Sequence, residues 1–338
     1  IIIELIILCI LGTTAFALFK LGKMERTSLT NIKNNGLKQT GYTNIALFGL
    51  DSRGKSLGKG NRTDTIMVAS INNETKKVKL ISVYRDTMLK QNGEHYDKAN
   101  AAYSVGGPET AVNMLNENLD LDIQDYVSVN FLALADVIDM VDGITVKMTD
   151  EEVVHMNNYC VETSKVTGKK YKKIEPAVAG TYKLNGVQAV SYARIRYTAG
   201  GDYKRTERQR LVLEKTANKL KKQNLATINK IIDKVMPEVS TSFSTKEILA
   251  LASGAFDFEL GETSGFPFDL ETPDSIPGYS GSYVIPKGLE ENVIKLHEFL
   301  FPDEEYTPTE TVTNISDTLI NMTNVYPSTT GSGTSQYE

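Results

Sequence analysis

Residues 44–84 read NIALFGLDSRGKSLGKGNRTDTIMVASINNETKKVKLISVY and contain three apolar runs separated by polar residues. The runs at 44–50, 64–71 and 78–84 are rich in β-branched and other apolar side chains, which favours buried strands. Two asparagines between the second and third runs supply turn-forming chemistry. The stretch therefore predicts three neighbouring strands of one sheet, with charged residues where the strands end.

Beyond this stretch, the chain alternates between short strands and helices. The predicted helices are 108–118, 132–141, 186–194, 204–222, 227–235, 245–254 and 288–300, and further strands are predicted at 126–130 and 144–148. This alternation indicates an α/β fold with a central mixed β-sheet covered by helices on both faces. The lysine-rich stretch 150–180 predicts an irregular surface excursion.

The two ends of the chain are predicted to lie outside this domain. Residues 1–22 are mainly apolar and, at about 1.5 Å per helical residue, are long enough for a single-pass transmembrane anchor. Ala15 and Ala17 form an A-x-A pattern, so a cleaved signal peptide stays open as the alternative. The remaining predicted bounds are 23–42 for a juxtamembrane linker, 43–302 for a single folded domain and 303–338 for a disordered Thr/Ser-rich tail.

Composition excludes several classes of protein. The net charge of −5 over 338 residues argues against nucleic-acid binding, which needs a strongly basic surface. The two cysteines, Cys9 and Cys160, cannot build a disulfide framework, and three scattered histidines do not have the spacing of a zinc site. A chain that uses so little cysteine suits a Gram-positive type of cell surface.

Arginine is confined to a few places. Of nine arginines, all but Arg26 lie in three clusters, which are Arg53, Arg62 and Arg85, then Arg194 and Arg196, then Arg205, Arg208 and Arg210. The planar guanidinium group binds carboxylate and phosphate oxygens in pairs, whereas lysine is a hydrated point charge. Because the lysines are spread along the chain, the clustering of arginine predicts an oxyanion-binding site.

One nucleotide-binding motif is matched in form only. Residues 49–56, GLDSRGKS, fit the phosphate-loop pattern G-x-x-x-x-G-K-[ST]. A phosphate loop needs a helix to begin at its lysine, and the glycine-rich residues 57–61 do not favour one. We therefore predict that this segment does not bind a nucleotide.

Acidic residues stand beside the first arginines. Asp51 follows the first predicted strand and Asp64 begins the second, so both carboxylates face one loop. Mg²⁺ commonly takes one or two carboxylates and leaves its other positions to water and phosphate. Ion pairing of these acids with Arg53 and Arg62 is the alternative reading of the same pattern.

Seven motifs occur in a fixed order and resemble the LytR-CpsA-Psr family: GLDSR, NRTDT, VYRDT, DKANAAY, GGPE, YARIR and DYKRTERQ. They span residues 43–212. The resemblance implies a membrane-anchored, extracytoplasmic phosphotransferase that moves a glycopolymer, such as teichoic acid or capsule, from a polyprenyl-diphosphate carrier to peptidoglycan.

The resemblance also implies roles for individual residues. Asp51 and Asp64 would hold Mg²⁺. The implied catalytic residues are Arg62, Arg85, Asp86, Arg194 and Arg196, and the implied substrate-binding residues are Arg53, Lys98, Arg205, Arg208 and Gln209. On a helix, Arg205, Arg208 and Gln209 share one face, and Arg210 turns away from it, so Arg210 is left out.

A lipid-linked substrate needs shelter for its chain. We expect an apolar cavity between the sheet and the helices at 108–118, 132–141 and 204–222. Two other functions stay open. A pyrophosphatase would use water in place of the peptidoglycan hydroxyl, and a non-catalytic receptor for lipid-linked or phosphate-rich wall polymer would need the arginines but no metal.

Overall fold

Seven of the described strands form one mixed β-sheet at the centre of the protein. The computed structural model describes residues 25–50, 57–244, 246–248 and 257–328. The strands are β1 (Glu25–Arg26), β2 (Tyr42–Leu50), β3 (Thr63–Asn72), β4 (Lys77–Val83), β5 (Met88–Lys90), β6 (Tyr96–Lys98), β7 (Ile123–Asn130), β8 (Ile144–Met148), β9 (Gly180–Leu184), β10 (Val239–Thr241), β11 (Glu259–Phe266), β12 (Leu270–Glu271) and β13 (Ile285–Pro286). The helices are α1 (Ala99–Leu119), α2 (Phe131–Met140), α3 (Asp150–Thr167), α4 (Gly186–Ala193), α5 (Gly201–Leu220), α6 (Leu225–Val235), α7 (Leu289–Leu300) and α8 (Glu310–Thr323), with a short 3-10 turn at Met236–Glu238.

The central sheet has the spatial order β1-β10-β7-β2-β3-β4-β11. Its three predicted strands are confirmed as consecutive antiparallel neighbours β2, β3 and β4. Phe48 pairs with Ile66, and Leu47 pairs with Met67. Since side chains alternate along a strand, the first pair points to one face of the sheet and the second pair to the other. Residues 57–62, the described part of the connection from β2 to β3, contain no helix.

Helices cover both faces of this sheet, as predicted. On the face of Phe48 and Ile66, helices α1, α7 and α8 share one hydrophobic core with the strands. Phe48 is 1% exposed there, and burying a side chain of this size contributes about 1.5–3 kcal/mol. On the face of Leu47 and Met67, α2, α4 and α5 cover the sheet. The polar groups of the candidate site collect at the end of this second face.

A break at Gly107 divides α1 into two parts. Gly107 has φ 75° and ψ −161°, a conformation that glycine adopts at little cost. Pro108 begins the second part, as predicted for the helix at 108–118, because the first position of a helix does not need the N–H that proline lacks. The first part of α1 is held to the sheet side by Tyr103, whose hydroxyl donates to the carbonyl of Leu57 (2.7 Å).

The prediction of irregular structure at 150–180 was wrong for residues 150–167, which form α3, whereas residues 168–179 contain no helix or strand. Thr149 and Glu152 make a capping box, in which each side chain bonds the backbone N–H of the other. Val153, Met156 and Cys160 are buried on one side of the helix. The many lysines that follow the helix concealed this pattern. β8 was predicted with the correct bounds, and it pairs with β9 outside the central sheet.

The prediction of disorder from residue 303 onward was wrong for residues 310–323, which form α8. Val312, Ile315 and Leu319 are buried on one face of α8, at helical spacing. Before the helix, Tyr306 and Thr309 donate hydrogen bonds to the buried carboxylate of Asp120 (2.6–2.9 Å). Residues 329–338 lie outside the described part of the chain.

The described part of the predicted linker, residues 25–42, lies against the domain. Within residues 30–35, backbone and side-chain N–H groups donate hydrogen bonds to α1. The acceptors are the side chains of Glu109 and Asn113 and the backbone carbonyl of Glu117. The predicted anchor at 1–22 and most of the predicted helix at 245–254 fall outside the described residues. Among the described residues, no helix combines the length and the apolar character needed to cross a membrane.

We expect Leu319→Ala to reduce the free energy of unfolding by about 2–5 kcal/mol, the usual cost of emptying a buried leucine site. Denaturant unfolding of the purified domain measures this change. The control is Asn321→Ala on the exposed side of the same helix, which should stay within about 0.5 kcal/mol of the wild type. Equal stability of the two variants would show that α8 does not belong to the cooperative fold.

Candidate active site

Three arginines meet the carboxylate of Asp64 at the start of β3. Asp64 is 8% exposed. Its Oδ1 lies 2.7 Å from Nη1 of Arg85, 3.2 Å from Nη2 of Arg205 and 3.4 Å from Nη2 of Arg196. The arginines come from the turn after β4, from α5, and from the loop between α4 and α5. We call Arg85, Arg196 and Arg205 the arginine cluster.

The pKa of the Asp64 carboxyl lies below its ordinary value. Burial raises this pKa, but the positive charges of Arg205, Arg85 and Arg196 outweigh the effect of burial, and Arg194 adds to theirs. The group is therefore ionised at neutral pH, which is the form that binds both arginine and a metal ion.

Helix α5 supplies two of the groups around Asp64. Arg205 is 1% exposed, and its Nη2 donates to the backbone carbonyl of Asp64 (2.7 Å). Gln209 lies one turn later and donates from Nε2 to the same carbonyl (3.3 Å). The predicted shared face of Arg205 and Gln209 is confirmed, and it fixes the start of β3 against α5.

The predicted third member of that face, Arg208, is placed elsewhere. Its guanidinium contacts Glu152 of α3 (Nε to Oε1, 2.9 Å). It also donates to the carbonyl of Ile195 (3.2 Å) and to Oγ1 of Thr198 (2.6 Å). None of the described contacts of Arg208 is with Asp64.

Asp86 and Lys98 extend the charged network on the other side of Arg85. Nε of Arg85 lies 3.4 Å from Oδ2 of Asp86, and Nζ of Lys98 lies 3.1 Å from its Oδ1. Lys98 also stands 4.9 Å from the ring centre of Tyr283. Asp86 thus holds two cations side by side, next to the arginine cluster.

Arg194 borders the site without touching Asp64. Its guanidinium pairs with Glu162 (3.0 Å) and donates to Oγ1 of Thr163 (3.1 Å), both on α3. It also stacks over the ring of Phe131, 4.8 Å from the ring centre. The guanidinium of Arg194 therefore has an aromatic ring against its face and a carboxylate and a hydroxyl at its edge.

Three predicted residues remain: Arg62, Asp51 and Arg53. Arg62 is exposed and makes no hydrogen bond or ion pair with another described residue. Asp51 and Arg53, predicted for metal and substrate binding, lie in segment 51–56, outside the described residues.

An apolar cavity of about 210 Å³ opens beside the arginine cluster. Its floor is formed by β2, β3 and β7, and its cover by α2, α4 and α5. The polar side chains that line it are Thr65, Arg194 and Gln209. Thr65 follows Asp64, and Gln209 donates to the carbonyl of Asp64, so the polar end of the cavity lies next to Asp64. The three arginines of the cluster are not among the lining residues.

The predicted apolar cavity between sheet and helices is thus present, with a different set of helices. The helices predicted at 132–141 and 204–222 contribute to it, whereas α1 lies on the opposite face of the sheet. For scale, a protein cavity of about 150 Å³ holds a benzene molecule. The cavity therefore accommodates only a short part of a long hydrocarbon chain.

Asp64 is the described residue best suited to a divalent cation. An ionised carboxylate is the ligand that Mg²⁺ prefers. No group of three or more His, Cys, Asp and Glu side chains that could hold a metal occurs in the described ranges. A metal at Asp64 would therefore need oxygen ligands from a bound phosphate, from water, or from Asp51. The donor chemistry fits Mg²⁺ with a phosphorylated substrate.

Glu152, Glu162 and Phe131 hold the site together and were missed from the sequence. The two glutamates lie on α3, within the stretch predicted to be irregular. The Thr149-x-x-Glu152 capping pattern was the available signal, because it marks a helix start. Phe131 carries no chemical signature, so only the contact with Arg194 reveals it.

Taken together, the site has an ionised carboxylate at the start of β3, a cluster of arginines around it and an apolar cavity on one face of the sheet. This arrangement can bind an amphiphile with an anionic head and a hydrocarbon tail. It can also stabilise negative charge that develops on phosphate oxygens.

Comparisons with known proteins give relatives of one kind. The model of the LytR_cpsA_psr family matches residues 13–262. Biofilm regulatory protein A of Streptococcus mutans is 33% identical over 210 residues, which cover 59% of this chain and 49% of that protein. The chain thus spans about half the length of that relative. The polyisoprenyl-teichoic acid–peptidoglycan teichoic acid transferase TagU of Enterococcus faecalis is 29% identical over 259 residues, which cover 74% of this chain and 80% of the transferase.

Solved structures share the fold. The crystal structure of protein gbs0355 from Streptococcus agalactiae superposes with a TM-score of 0.65 at 26% identity, covering 82% of this chain and 94% of that one. TagT of Bacillus subtilis with bound octaprenyl pyrophosphate gives 0.58 at 21% identity, with coverage of 81% and 99%. Since the family model matches well over half of the chain, with the fold in agreement, the protein belongs to the LytR_cpsA_psr family.

Proposed function

We propose that this protein is a phosphotransferase that attaches a polyprenyl-diphosphate-linked glycopolymer to peptidoglycan and releases polyprenyl phosphate. The observation that carries the proposal is an apolar cavity whose polar end, at Thr65 and Gln209, adjoins Asp64 and the arginine cluster that meets there. A diphosphate head needs the arginines, and the first part of its lipid chain needs the cavity.

The names of the relatives support the same chemistry. TagU is named as a teichoic acid transferase to peptidoglycan, and TagT was solved with octaprenyl pyrophosphate. Family membership extends this chemistry to the present chain as a proposal. It does not select between teichoic acid, capsule and other wall polymers.

The reaction is a displacement at phosphorus. A hydroxyl oxygen of peptidoglycan bonds to the phosphorus that carries the glycan, and the bond from this phosphorus to the bridging oxygen breaks. The bridging oxygen leaves with the polyprenyl phosphate, and the hydroxyl proton passes to solvent. Negative charge grows on the leaving oxygen, where Arg85, Arg196 and Arg205 stabilise it, each well-placed donor being worth on the order of 3 kcal/mol.

We include Mg²⁺ in the proposal, with Asp64 as a ligand and Asp51 as the second predicted one. When bound, the ion supplies positive charge that neutralises the diphosphate. Arg205 and Gln209 of α5 both donate to the backbone carbonyl of Asp64. This fixes the backbone there, so the carboxylate is presented to the substrate in one orientation.

A membrane location is part of the same proposal. The carrier lipid and peptidoglycan meet at the outer surface of the cytoplasmic membrane. We therefore place the folded domain there, extracytoplasmic and anchored by the predicted segment at 1–22, in a cell of the Gram-positive type.

The direct test is transfer of a labelled lipid-linked glycan onto peptidoglycan oligomers by the full chain, with and without Mg²⁺. Teichoic-acid, capsule and secondary-polymer precursors should be run side by side. We expect a phosphodiester-linked product with at least one of them. Release of glycan phosphate without a peptidoglycan product would favour the pyrophosphatase, and binding without turnover would favour the receptor.

Narrowing the cavity should weaken the binding of long lipid chains. Val129 lines the cavity, so Val129→Phe is expected to raise KM for a long-chain polyprenyl substrate by about tenfold or more. A short-chain substrate that does not fill the cavity should be turned over as before. The matched control is Val154→Phe on the exposed surface of α3. Equal effects on both chain lengths would argue against the cavity as the lipid site.

A further inference from the structure

Arg208 is a buried arginine, and each of its three guanidinium nitrogens contacts a protein group. It is 5% exposed. Nε pairs with Glu152 of α3 (2.9 Å), Nη1 donates to the carbonyl of Ile195 (3.2 Å), and Nη2 donates to Thr198 (2.6 Å). Three nitrogens of one planar group thus join α3, α5 and the segment between α4 and α5.

The two segment residues held by Arg208 stand on either side of Arg196. We call residues 195–200 the Arg196 loop. Ile195 is held at its start and Thr198 near its end, where the N–H of Gly201 donates to the carbonyl of Thr198 (3.0 Å). Arg196 itself is 35% exposed and reaches Asp64 at 3.4 Å. Its position at Asp64 therefore depends on how the rest of the loop is held.

The support for Arg208 on α3 is also fixed in place. Oε2 of Glu152 accepts a hydrogen bond from the N–H of Thr149 (3.0 Å) in the capping box. The other oxygen, Oε1, binds Arg208. Glu152 therefore has one orientation, set by the start of α3, and passes it on to Arg208.

The surroundings of Arg208 do not favour a diphosphate. It lines a second cavity, of about 520 Å³, whose charged lining residues are three carboxylates and three cations: Glu151, Glu152, Glu207, Lys147, Lys204 and Arg208. Arg208 is already paired with Glu152 and Lys204 with Glu207, so this cavity has no excess of positive charge that would attract a diphosphate. The apolar cavity beside Asp64 does not include Arg208 among its lining residues.

We propose that Arg208 and Glu152 form a strap that holds the Arg196 loop, so that Arg196 is presented to Asp64 and to the diphosphate. Arg208 is then a positioning residue and does not touch the substrate. The proposal rests on the proposed function for its effect on transfer. Lysine cannot replace Arg208, because one ammonium group cannot make three bonds in fixed, divergent directions.

The variant Glu152→Gln removes the bond to Arg208 but keeps the helix cap, so it tests the strap alone. Glutamine serves as well as glutamate in a capping box, but its amide N–H₂ would face the N–H of Arg208, so the strap is lost. The matched control is Glu207→Gln, which removes a carboxylate from the same cavity, where Glu207 pairs with the exposed Lys204 (2.6 Å). Amide hydrogen exchange of residues 195–201 and transfer kinetics are measured for both variants and for Arg208→Lys.

We expect faster exchange in the Arg196 loop for Glu152→Gln and Arg208→Lys, and unchanged exchange for Glu207→Gln. Transfer by the first two variants should fall by about tenfold or more, the size of one lost charge-assisted hydrogen bond. In an Arg196→Ala background, Glu152→Gln should add less than about a twofold loss, because residues that act through one another are not additive.

The outcomes separate the strap from the proposed function. Unchanged exchange in Glu152→Gln would overturn the strap whatever the activity is. Faster exchange with normal transfer, or a full additional loss in the Arg196→Ala background, would overturn the positioning role. Absence of transfer by the wild-type chain on all precursors, with faster exchange in Glu152→Gln, would overturn the proposed function and leave the strap standing as a structural element only.

Discussion

Replacing Asp64 by asparagine is expected to reduce transfer by about 10²–10³-fold or more, the usual effect of removing one electrostatic group from a catalytic site. Asparagine keeps the shape of the side chain but has no charge. Arg85, Arg196 and Arg205 then lose the anion at which all three meet, and the proposed metal loses a ligand. The measurement is the rate of glycan transfer at saturating lipid substrate, over a range of Mg²⁺ concentrations.

Two comparisons make this result specific. Asp317→Asn changes an exposed aspartate on α8 and should transfer at the wild-type rate. The Asp64→Asn protein should still unfold in one cooperative step, which would separate loss of chemistry from loss of fold. Wild-type turnover by Asp64→Asn would exclude both the metal assignment and the central position of this carboxylate.

The same variant should also change the response of the protein to acid. Because the pKa of Asp64 is lower in the folded protein than in the unfolded chain, where it is about 3.9, the ionised group contributes stability at higher pH. That contribution is complete above about pH 5 and is lost as the pH falls through the folded-state value. The Asp64→Asn protein lacks this contribution, so its free energy of unfolding should depend less on pH below about 4 than that of the wild type.

Arg205→Met is expected to lower both stability and activity. Arg205 is 1% exposed and bonds the carbonyl and the carboxylate of Asp64. Removing one member of a buried ion pair usually costs about 3–5 kcal/mol, because the remaining charge stays buried. Two other arginines still reach Asp64, so we expect a loss near 3 kcal/mol in denaturant unfolding. Transfer should fall to background, since the start of β3 loses its main contact with α5.

A neighbouring arginine provides the control for this experiment. Arg210 lies on the same helix, and its Nη1 is buried without a hydrogen-bond partner among the described residues. Burial lowers the pKa of its guanidinium. Replacing an unsatisfied buried group by an apolar one of similar length is close to neutral, so Arg210→Met should keep both stability and transfer. If the two variants lose stability equally, the effect belongs to the helix and not to the contact with Asp64.

The centre of the site could be predicted from the sequence because it lies at the ends of strands with strong apolar patterns. Asp64 and Arg85 follow directly from the positions of β3 and β4. Arg205 and Gln209 follow from the spacing on a helix, since residues four apart share a face. In these cases local periodicity determined the side of the element on which a residue lies.

The rest of the site depends on contacts between distant elements, which periodicity does not reveal. Arg208 directly precedes Gln209 in the sequence, yet its guanidinium pairs with Glu152 and not with Asp64. That glutamate belongs to α3, which polar composition concealed. α8 was missed for the same reason, because three buried apolar residues were diluted by threonine and asparagine. Tertiary packing stabilises such helices more than their own propensity does.

The segment that precedes β2 has a mechanical consequence. Its hydrogen bonds to α1 follow the order of the helix, from Thr30 with Glu109 through Lys33 with Asn113 to Gln39 with Asp120. A pull on the chain before residue 25 would first load the pairing of β1 with β10 at the edge of the central sheet. Once that pairing had opened, the pull would load the bonds to α1 together, in shear along the helix axis, instead of peeling them apart one at a time. The helix that takes this second load lies on the face of the sheet opposite to the apolar cavity. The segment before β2 is therefore held twice, first by the sheet and then by α1.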